Sequence, residues 1–497
     1  MFESAELGHK LSKEAYKKIE PQLRADLLDA QFALSKDASF PVIILISGVR
    51  GAGKGETVNL LNAWMDPRHI YAHAFDNPTD EELERPPMWR YWRALPPRGK
   101  IGMLFGSWYT APIIDRVFKH AKSKDLMAAI EQINHLERML ADEGALILKF
   151  WFHLSKKAQR KRLKELQADP ETSWKVTPRD WGFFKVYDRF YRISEQVLRE
   201  TSTGHAPWLV VEGADPNYRY VTVGRTLLEA MRKRLQQNGD KKPRATQPAP
   251  LVTPVDNLHV LDKLDLGRTI AKKKYDAELK HLQGHLARLT RRPDFANHSV
   301  VCVFEGMDAA GKGGAIRRVT ASLDARLYRT VPIAAPTDEE KAQPYLWRFW
   351  RHLPRKGRFV IYDRSWYGRV LVERIEGFCA EADWMRAYTE INDFEEQIAA
   401  SGGIVCKFWL QISKEEQLKR FKEREVTSFK QFKITEEDWR NRERWDQYQK
   451  AAADMIDRTS TAHAPWTLVP ANDKNFARIT ILQTLAKAIE DSLRSKA

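Results

Sequence analysis

The stretch that decides the fold is Val300-Val-Cys-Val-Phe-Glu-Gly-Met-Asp-Ala-Ala-Gly-Lys-Gly-Gly314. An apolar, β-branched run leads into G-x-x-x-x-G-K at Gly306–Lys312, and a segment with a helical pattern begins near Gly313. This order of strand, glycine loop and helix is what a phosphate-binding P-loop requires. The glycines let backbone N–H groups turn towards phosphate oxygens, and the helix N-terminus adds partial positive charge. The predicted phosphate-binding residues of the loop are Gly306, Ala309, Ala310, Gly311, Gly313 and Gly314.

The residue after the P-loop lysine departs from the usual pattern. A serine or threonine normally holds Mg²⁺ at this position, but this chain has Gly313. Two carboxylates are the candidates to replace it: Asp308 inside the loop, and Asp363 at the end of another apolar run. A carboxylate at a strand end beside a P-loop is typical of a Walker B position, and Mg²⁺ prefers carboxylate oxygen. We predict that Asp308 and Asp363 bind Mg²⁺ and that Lys312 contacts the transferring phosphate; a helix or turn cap is the alternative role for Asp363.

Cationic side chains follow these carboxylates. Arg364 and Arg369 flank Ser365-Trp-Tyr367, and a helical stretch after the fourth predicted strand is dense in arginine. Guanidinium groups bind phosphate bidentately and offset the charge that develops in phosphoryl transfer. The stretch therefore predicts a lid that closes over the site, although its interleaved glutamates also fit a solvated charged face. The predicted lid residues are Arg420, Arg424, Lys433, Arg440, Arg442 and Arg444.

The motif occurs twice in the chain. Gly48–Lys54 matches Gly306–Lys312 at an offset of 258 residues (306 − 48), and the same offset carries Ser107-Trp-Tyr109 onto Ser365-Trp-Tyr367. Because no net insertion separates the copies, we infer the tandem duplication of a whole domain. A polar, proline-rich segment between them has the composition of a linker. The predicted organisation is a first domain at 1–236, a linker at 237–256 and a second domain at 257–497.

Each repeat opens with a charged helical segment and then alternates apolar β-runs with helical patterns. Such alternation predicts an α/β fold with a parallel sheet and helices on both faces, in which ligands bind beyond the carboxyl ends of the strands. The opening helices are predicted near Ser12–Leu34 and Lys263–Arg291. The β-runs of the second repeat are Val300–Glu305, Leu327–Ile333, Arg358–Tyr362, Ile404–Ile412 and Trp466–Val469.

The first repeat lacks the charged residues that the chemistry needs. Asp308 corresponds to Arg50, and Asp363 to Phe105. The remaining losses are Arg364 to Gly106, Arg424 to Leu166, Arg440 to Gly182, Arg442 to Phe184 and Arg444 to Val186. The glycines, Lys54, the β-runs and the tryptophans are kept. We therefore expect a degenerate first domain that binds Mg²⁺ poorly and transfers no phosphate.

Bulk properties limit the class of protein. A chain of 497 residues exceeds a single core, and a formal charge of +16 suits a polyanionic partner, although it also fits a soluble basic protein. Cys302 and Cys406 lie in apolar runs, which predicts buried thiols rather than nucleophiles. The N-terminus lacks the pattern of a signal peptide, and no apolar run reaches the length of a membrane span. We therefore expect a cytoplasmic protein with no membrane partner.

Three motifs together resemble the type 2 polyphosphate kinase family: the loop at 306–314, Pro336-Thr-Asp-Glu-Glu340 and Tyr362-Asp-Arg-Ser-Trp-Tyr367. The two-domain layout is similar to the class II form. This resemblance implies two tandem P-loop kinase domains with a thymidylate-kinase-like fold, each a five-stranded parallel sheet with a helical lid. It also implies Mg²⁺-dependent transfer from inorganic polyphosphate to AMP, giving ADP. The positions that match the family's catalytic motif are Asp308, Lys312, Asp363 and Arg364, and those that match its lid are Arg420, Arg424 and Lys433.

Two other functions fit part of the pattern. An ATP-dependent nucleoside monophosphate kinase would share the P-loop and the lid. A nucleic-acid-binding protein with a vestigial P-loop would share the charge, but the chain has no zinc finger, RNP motif or basic tail, so we expect no nucleic-acid partner. The sequence leaves open the choice of AMP, ADP or GMP, the polymer length, the physiological direction, homo-oligomer formation and the role of the first repeat.

Overall fold

The computed structural model describes residues 1–239, 259–427 and 434–494. Most of the predicted linker, and Lys433 of the predicted lid, therefore lie outside the described residues. The chain forms two compact units. Unit 1 comprises Met1–Pro78, Arg90–Pro243 and Pro336–Trp347, and unit 2 comprises Thr79–Trp89, Arg244–Ala335 and Arg348–Ala497. Each unit thus includes one short segment of the other repeat.

The first repeat contains a five-stranded parallel sheet in the order β2-β3-β1-β4-β5. Its strands are β1 Val42–Gly48, β2 Ile70–Ala74, β3 Ile101–Phe105, β4 Leu146–His153 and β5 Trp208–Glu212. Its helices are α1 Lys13–Asp37, α2 Lys54–Trp64, α3 Asp80–Leu83, α4 Trp89–Arg93, α5 Thr110–Val117, α6 Ser123–Asp142, α7 Lys156–Ala168, α8 Pro178–Lys185, α9 Tyr187–Thr201 and α10 Pro216–Gly239.

The second repeat has the same arrangement, with strand order β7-β8-β6-β9-β10. Its strands are β6 Ser299–Gly306, β7 Tyr328–Pro332, β8 Phe359–Asp363, β9 Gly403–Gln411 and β10 Trp466–Pro470. Its helices are α11 Lys272–Leu289, α12 Lys312–Thr320, α13 Asp338–Lys341, α14 Trp347–Trp350, α15 Val372–Glu376, α16 Glu381–Ala400, α17 Lys414–Glu425, α18 Glu436–Glu443, α19 Trp445–Thr459 and α20 Lys474–Arg494.

The predicted α/β fold with two five-stranded parallel sheets is confirmed. All five predicted strands of the second repeat are present, and Cys302 and Cys406 are buried as expected. The opening helix of this repeat begins at Lys272 rather than near Lys263, because the Asp265 carboxylate accepts a hydrogen bond from the Gly267 N–H (3.0 Å) and favours a turn there. Among the described residues, no helix combines the length and apolar character needed to cross a membrane.

The central strand of each sheet carries the P-loop. In the second repeat β6 lies between β8 and β9, and every residue from Ser299 to Glu305 is buried. Strands that are covered on both faces read as continuous apolar runs, which is why the run before Gly306 was recognisable in the sequence. The phosphate loop consequently lies at the carboxyl edge of the sheet, next to the end of β8.

A buried ion pair anchors the loop that follows β8. Lys407 on β9 donates hydrogen bonds to Glu395 on α16 (2.7 Å), to the Tyr367 hydroxyl (2.9 Å) and to the Thr459 carbonyl (2.7 Å). Tyr367 and Trp366 both donate to Glu395 Oε1 (2.7 and 3.0 Å). The first repeat has the same network, with Lys149 bonded to Glu137 (2.7 Å), Tyr109 (3.0 Å) and the Thr201 carbonyl (2.7 Å).

We expect this pair to stabilise both units equally. Lys407→Met leaves the Glu395 carboxylate buried without its cation, so unit 2 should lose about 3–5 kcal/mol of unfolding free energy. Lys149→Met should have the same effect on unit 1, because the ion pairs of both repeats have fully buried side chains. Urea unfolding of the full chain measures both. A loss below about 1 kcal/mol in either variant would contradict this assignment.

Candidate functional site

The phosphate loop of the second repeat requires glycine at its first position. Gly306 has φ of 141°, and a Cβ there would lie 2.4 Å from the carbonyl oxygen of Leu410 on the neighbouring strand. No side chain fits at that distance. Gly311 has φ of 109° and serves as the N-cap of α12, where a left-handed conformation also favours glycine. The loop therefore turns sharply from strand to helix, as the motif predicts.

Lys312 begins α12 and bends back over the loop. Its ammonium donates hydrogen bonds to the carbonyl oxygens of Gly306 (2.7 Å) and Met307 (3.3 Å). Burial and the charge of Arg364 lower the pKa of Lys312, while Asp308 and Asp363, with a further carboxylate, act in the opposite direction. Both predicted metal carboxylates therefore lie close enough to Lys312 to interact with its charge.

Asp308 is held by one donor on each oxygen. Arg364 Nη2 donates to Oδ1 (3.0 Å), and Asn441 Nδ2 on α18 donates to Oδ2 (2.9 Å). The backbone carbonyl of Asp308 also accepts a hydrogen bond from Gln417 Nε2 on α17 (3.0 Å). The predicted catalytic pair Asp308 and Arg364 is thus in direct contact. Asn441 was missed in the sequence because only cations were sought in the lid.

Asp363 ends β8 directly beside Phe304 of β6. Its carboxylate has no hydrogen bond or ion pair with any residue that the structure describes, whereas its backbone carbonyl accepts from the Ile333 N–H (3.0 Å). An uncommitted carboxylate at a strand end, with Asp308 nearby in the P-loop, supplies the hard oxygen ligands that Mg²⁺ requires. The donor set therefore fits a magnesium ion, with Asp308 and Asp363 as the residues able to hold it.

A third acid at this edge was missed in the sequence. Glu305 precedes the loop, is only 5% exposed, and accepts a hydrogen bond from the Ser365 hydroxyl (2.8 Å). Burial raises the pKa of Glu305, and the positive charges of Lys312 and Arg364 oppose that rise. Glu305 lies inside an apolar run, and for that reason the sequence analysis did not single it out. A comparison of the two repeats could have identified it, because the corresponding residue of the first repeat is Ser47.

Arg420 does not face the site as a lid residue. Its guanidinium is buried beneath the P-loop and donates to the carbonyl oxygens of Ala309 (2.9 Å), Ala310 (3.1 Å) and Ala471 (2.7 Å). Since it is also paired with Glu416 (2.7 Å), it supports the loop from below. The first repeat keeps an arginine at this position, but Arg162 pairs with Glu56 (3.2 Å) instead of with the loop carbonyls.

The other predicted cations lie at several places around the loop and the segment after β8. Arg442 on α18 donates to the Lys414 carbonyl (2.6 Å) and to Gln417 (3.2 Å), close to the loop. Arg369 is paired with Glu373 (3.0 Å) within the segment after β8. Arg424 lies in the last turn of α17. Arg440 and Arg444 both approach Glu376 (3.5 and 3.1 Å) at the end of α15.

The P-loop of the first repeat contains an arginine that is paired within the same repeat. Arg50 forms an ion pair with Asp180 (3.0 Å) and lies 4.6 Å from the centre of the Phe183 ring. Lys54 donates to two loop carbonyls, as Lys312 does. Burial and the Arg50 charge lower the pKa of Lys54 to about 7, with only Asp180 opposing the shift. The P-loop lysine of this repeat has thus lost the acidic surroundings that favour its charged form.

Two backbone positions distinguish the repeats. Ala309 and Arg364 adopt positive φ angles of 61° and 64°, a conformation unfavourable for residues with a side chain. Glycine occupies both corresponding positions in the first repeat, at Gly51 and Gly106, with φ of 81° and 71°. Because the strained Arg364 also contacts Asp308 (3.0 Å), we infer that its side chain serves the site.

The chain is similar to known proteins over nearly its whole length. The sequence model of the family described as Polyphosphate kinase 2 (PPK2) matches residues 10–239 and 269–497. The chain belongs to the polyphosphate kinase 2 family. A polyphosphate:AMP phosphotransferase of Pseudomonas aeruginosa is 60% identical over 492 residues, 99% of each chain. One of Acinetobacter johnsonii is 41% identical over 479 residues, which cover 95% of this chain and 96% of that protein.

The fold of this polyphosphate kinase 2 family member is also similar to a solved structure. A crystal structure described as polyphosphate kinase 2 from Pseudomonas aeruginosa PA01 superposes with a TM-score of 0.90. The two proteins share 57% sequence identity, and the match covers 99% of each chain. Because the match is full-length, the duplicated architecture is common to both.

The strain at Arg364 predicts an unusual order of stability. Arg364→Gly should be more stable than Arg364→Ala by about 1 kcal/mol, because glycine alone relieves the positive φ. Both variants lose the contact with Asp308 equally. Urea unfolding of the two full-length variants measures the difference. An alanine variant at least as stable as the glycine variant would contradict the strain argument.

The lowered pKa of Lys54 predicts a stability that increases with pH. Between pH 7 and about 10 the unfolded chain binds a proton at this lysine that the folded chain does not, so unfolding becomes less favourable as pH rises. Lys54→Met removes the effect. The stability of the wild type minus that of Lys54→Met should therefore rise from pH 7 to pH 9.5 and stay flat below pH 6. A difference independent of pH would refute the shift.

Proposed function

We propose that the second repeat transfers the terminal phosphoryl group of inorganic polyphosphate to AMP, giving ADP and a polymer one unit shorter. The observation that carries the proposal is the cluster of Asp308, Lys312, Asp363 and Arg364 at one edge of the sheet, in a chain 60% identical to a polyphosphate:AMP phosphotransferase. The net charge of +16 suits a substrate that carries about one negative charge per phosphate unit.

The mechanism needs positioning and charge stabilisation more than covalent chemistry. The loop amides and Lys312 bind the terminal phosphate, and an oxygen of the AMP phosphate attacks its phosphorus in line. The new P–O bond forms as the bond to the penultimate unit breaks, and the electron pair leaves on the polymer oxygen. Arg364 offsets the charge on the oxygens in transfer. A magnesium ion held by Asp308 and Asp363 would neutralise phosphate charge.

We propose that the first repeat does not catalyse this reaction. Arg50 occupies the position of Asp308 and is committed to Asp180, and Phe105 occupies the position of Asp363. Neither side chain has an oxygen atom that could bind a metal ion. The repeat therefore lacks both predicted ligands, while its fold and its buried ion pair are intact.

The donor separates this proposal from an ATP-dependent nucleoside monophosphate kinase. The protein is incubated with MgCl₂ and AMP, with either polyphosphate or ATP as the sole phosphoryl donor, and ADP formed from AMP is measured with isotopically labelled AMP. Turnover with polyphosphate alone is the expected result. Turnover with ATP alone would assign the rival activity, and DNA binding without turnover would assign the nucleic-acid alternative.

Removing one predicted metal ligand should slow the reaction strongly. Asp363→Asn is expected to lower kcat by about two orders of magnitude or more, because the amide oxygen carries no charge to hold the ion. The matched control is Asp324→Asn, which neutralises a partly exposed carboxylate paired with Arg326 (2.7 Å) before β7 and should leave kcat within about twofold. An unchanged rate in Asp363→Asn would eliminate the metal assignment.

A further inference from the structure

A chain of hydrogen bonds connects the predicted lid to the P-loop carboxylate. Tyr448 on α19 donates its hydroxyl proton to Asn441 Oδ1 (3.2 Å), and Asn441 Nδ2 donates to Asp308 Oδ2 (2.9 Å). With its oxygen bonded to Tyr448, the amide of Asn441 presents its N–H group to Asp308. Burial raises the pKa of Tyr448, with contributions from Glu376 and Asp308, so its hydroxyl remains a donor at neutral pH.

A buried carboxylate holds the arginines on either side of Asn441. Glu376 has only 8% of its side chain exposed and approaches Arg440 (3.5 Å) and Arg444 (3.1 Å). Arg444 also donates to the carbonyl oxygen of Ile375 (3.1 Å). Arg440 and Arg444 are four residues apart and therefore share one face across the end of α18. Glu376 thus contacts the end of α18, the helix on which Asn441 lies, through two ion pairs.

The first repeat lacks every member of this chain. Its counterparts are Phe183 for Asn441, Phe190 for Tyr448, Phe118 for Glu376 and Arg50 for Asp308. Phe118 and Phe183 pack edge to face, with ring centroids 5.1 Å apart. In the first repeat, aromatic contacts therefore take the place of the polar chain.

Other contacts around the same loop are kept in both repeats. Gln417 donates to the Asp308 carbonyl (3.0 Å), and Gln159 donates to the Arg50 carbonyl (3.0 Å). The buried lysine–glutamate pair is also duplicated. The polar chain was replaced together with Asp308, whereas the supports of the fold were retained. This pattern indicates that the chain serves the carboxylate and not the fold.

We propose that Asn441 is a positioning residue for the transfer reaction: it orients the Asp308 carboxylate from α18, with Tyr448 fixing the Asn441 amide and Glu376 fixing the helix. The inference rests on the proposed function of the second repeat. With one oxygen bonded to Arg364 and the other to Asn441, Asp308 has a defined direction before substrate binds. The same bond makes the position of α18 depend on the position of Asp308, which couples lid and carboxylate.

The first test replaces the amide by a side chain of similar size without hydrogen bonds. In the full-length protein, Asn441→Leu should lower kcat by about 10- to 100-fold, with a smaller effect on KM for AMP. Hydrogen–deuterium exchange of peptides covering Glu436–Glu443, measured without substrate, should become faster. Unchanged exchange together with a kcat within twofold of wild type would overturn the proposal.

The second test asks whether Tyr448 acts through Asn441. Tyr448→Phe removes only the hydroxyl and should lower kcat by about 3- to 10-fold. The double variant should be no slower than Asn441→Leu alone, because the hydroxyl has then lost its acceptor. If the kcat losses of the two single variants multiply in the double variant, the two side chains act independently, because independent effects add in free energy. That result would contradict the proposal that Tyr448 acts through Asn441.

Two controls separate positioning from general damage. Phe183→Leu places the same side chain at the matched position of the first repeat, and Asp454→Asn breaks the ion pair with Arg374 (2.8 Å) between α15 and α19. Both should leave kcat within about twofold; a loss as large as that of Asn441→Leu would overturn a specific role. If the wild type gives no turnover with polyphosphate and AMP, the proposed function fails, and the exchange measurement still decides the contact.

Discussion

The site depends on the close approach of Gly306 to the carbonyl of Leu410 on the adjacent strand. Only a residue without a side chain allows β6 to end there and the chain to turn into α12. Because β6 is the central strand, the turn places the loop beside the end of β8. Asp308, Lys312 and Asp363 then meet at one edge of the sheet, although Asp308 and Asp363 are far apart in sequence.

The duplication separates the residues that maintain the fold from those that serve the chemistry. The buried Lys407–Glu395 pair recurs in the first repeat with nearly the same distances, and so does the glutamine beneath the loop. The carboxylates and their polar partners occur only in the second repeat. At Arg364 the second repeat adopts a positive φ where the first repeat has glycine, whereas at Lys119 the first repeat does so where the second has Gly377. The second repeat thus keeps a strained arginine at position 364 and a buried carboxylate at Glu305, where its copy has Gly106 and Ser47.

The fold was largely predictable, because strands buried on both faces produce continuous apolar runs and the P-loop marks the central one. The site was predictable where a motif fixes the position of a residue, as for Asp308 and Lys312 on the P-loop, and their roles stay predictions. It was not predictable where the role depends on a tertiary partner. Arg420 resembles a lid cation in sequence, but its donors are satisfied by loop carbonyls. Asn441 carries no charge and becomes visible only through its contact with Asp308.

We propose that one repeat reacts and the other does not. Substituting the P-loop lysine of each repeat in the full-length protein tests it most directly, since Lys54 and Lys312 make the same contacts with their own loops. ADP formation from polyphosphate and AMP is measured for Lys54→Met and Lys312→Met. Lys312→Met is expected to lose turnover, and Lys54→Met is expected to retain it. Comparable losses in both variants, or a loss confined to Lys54→Met, would contradict the proposal.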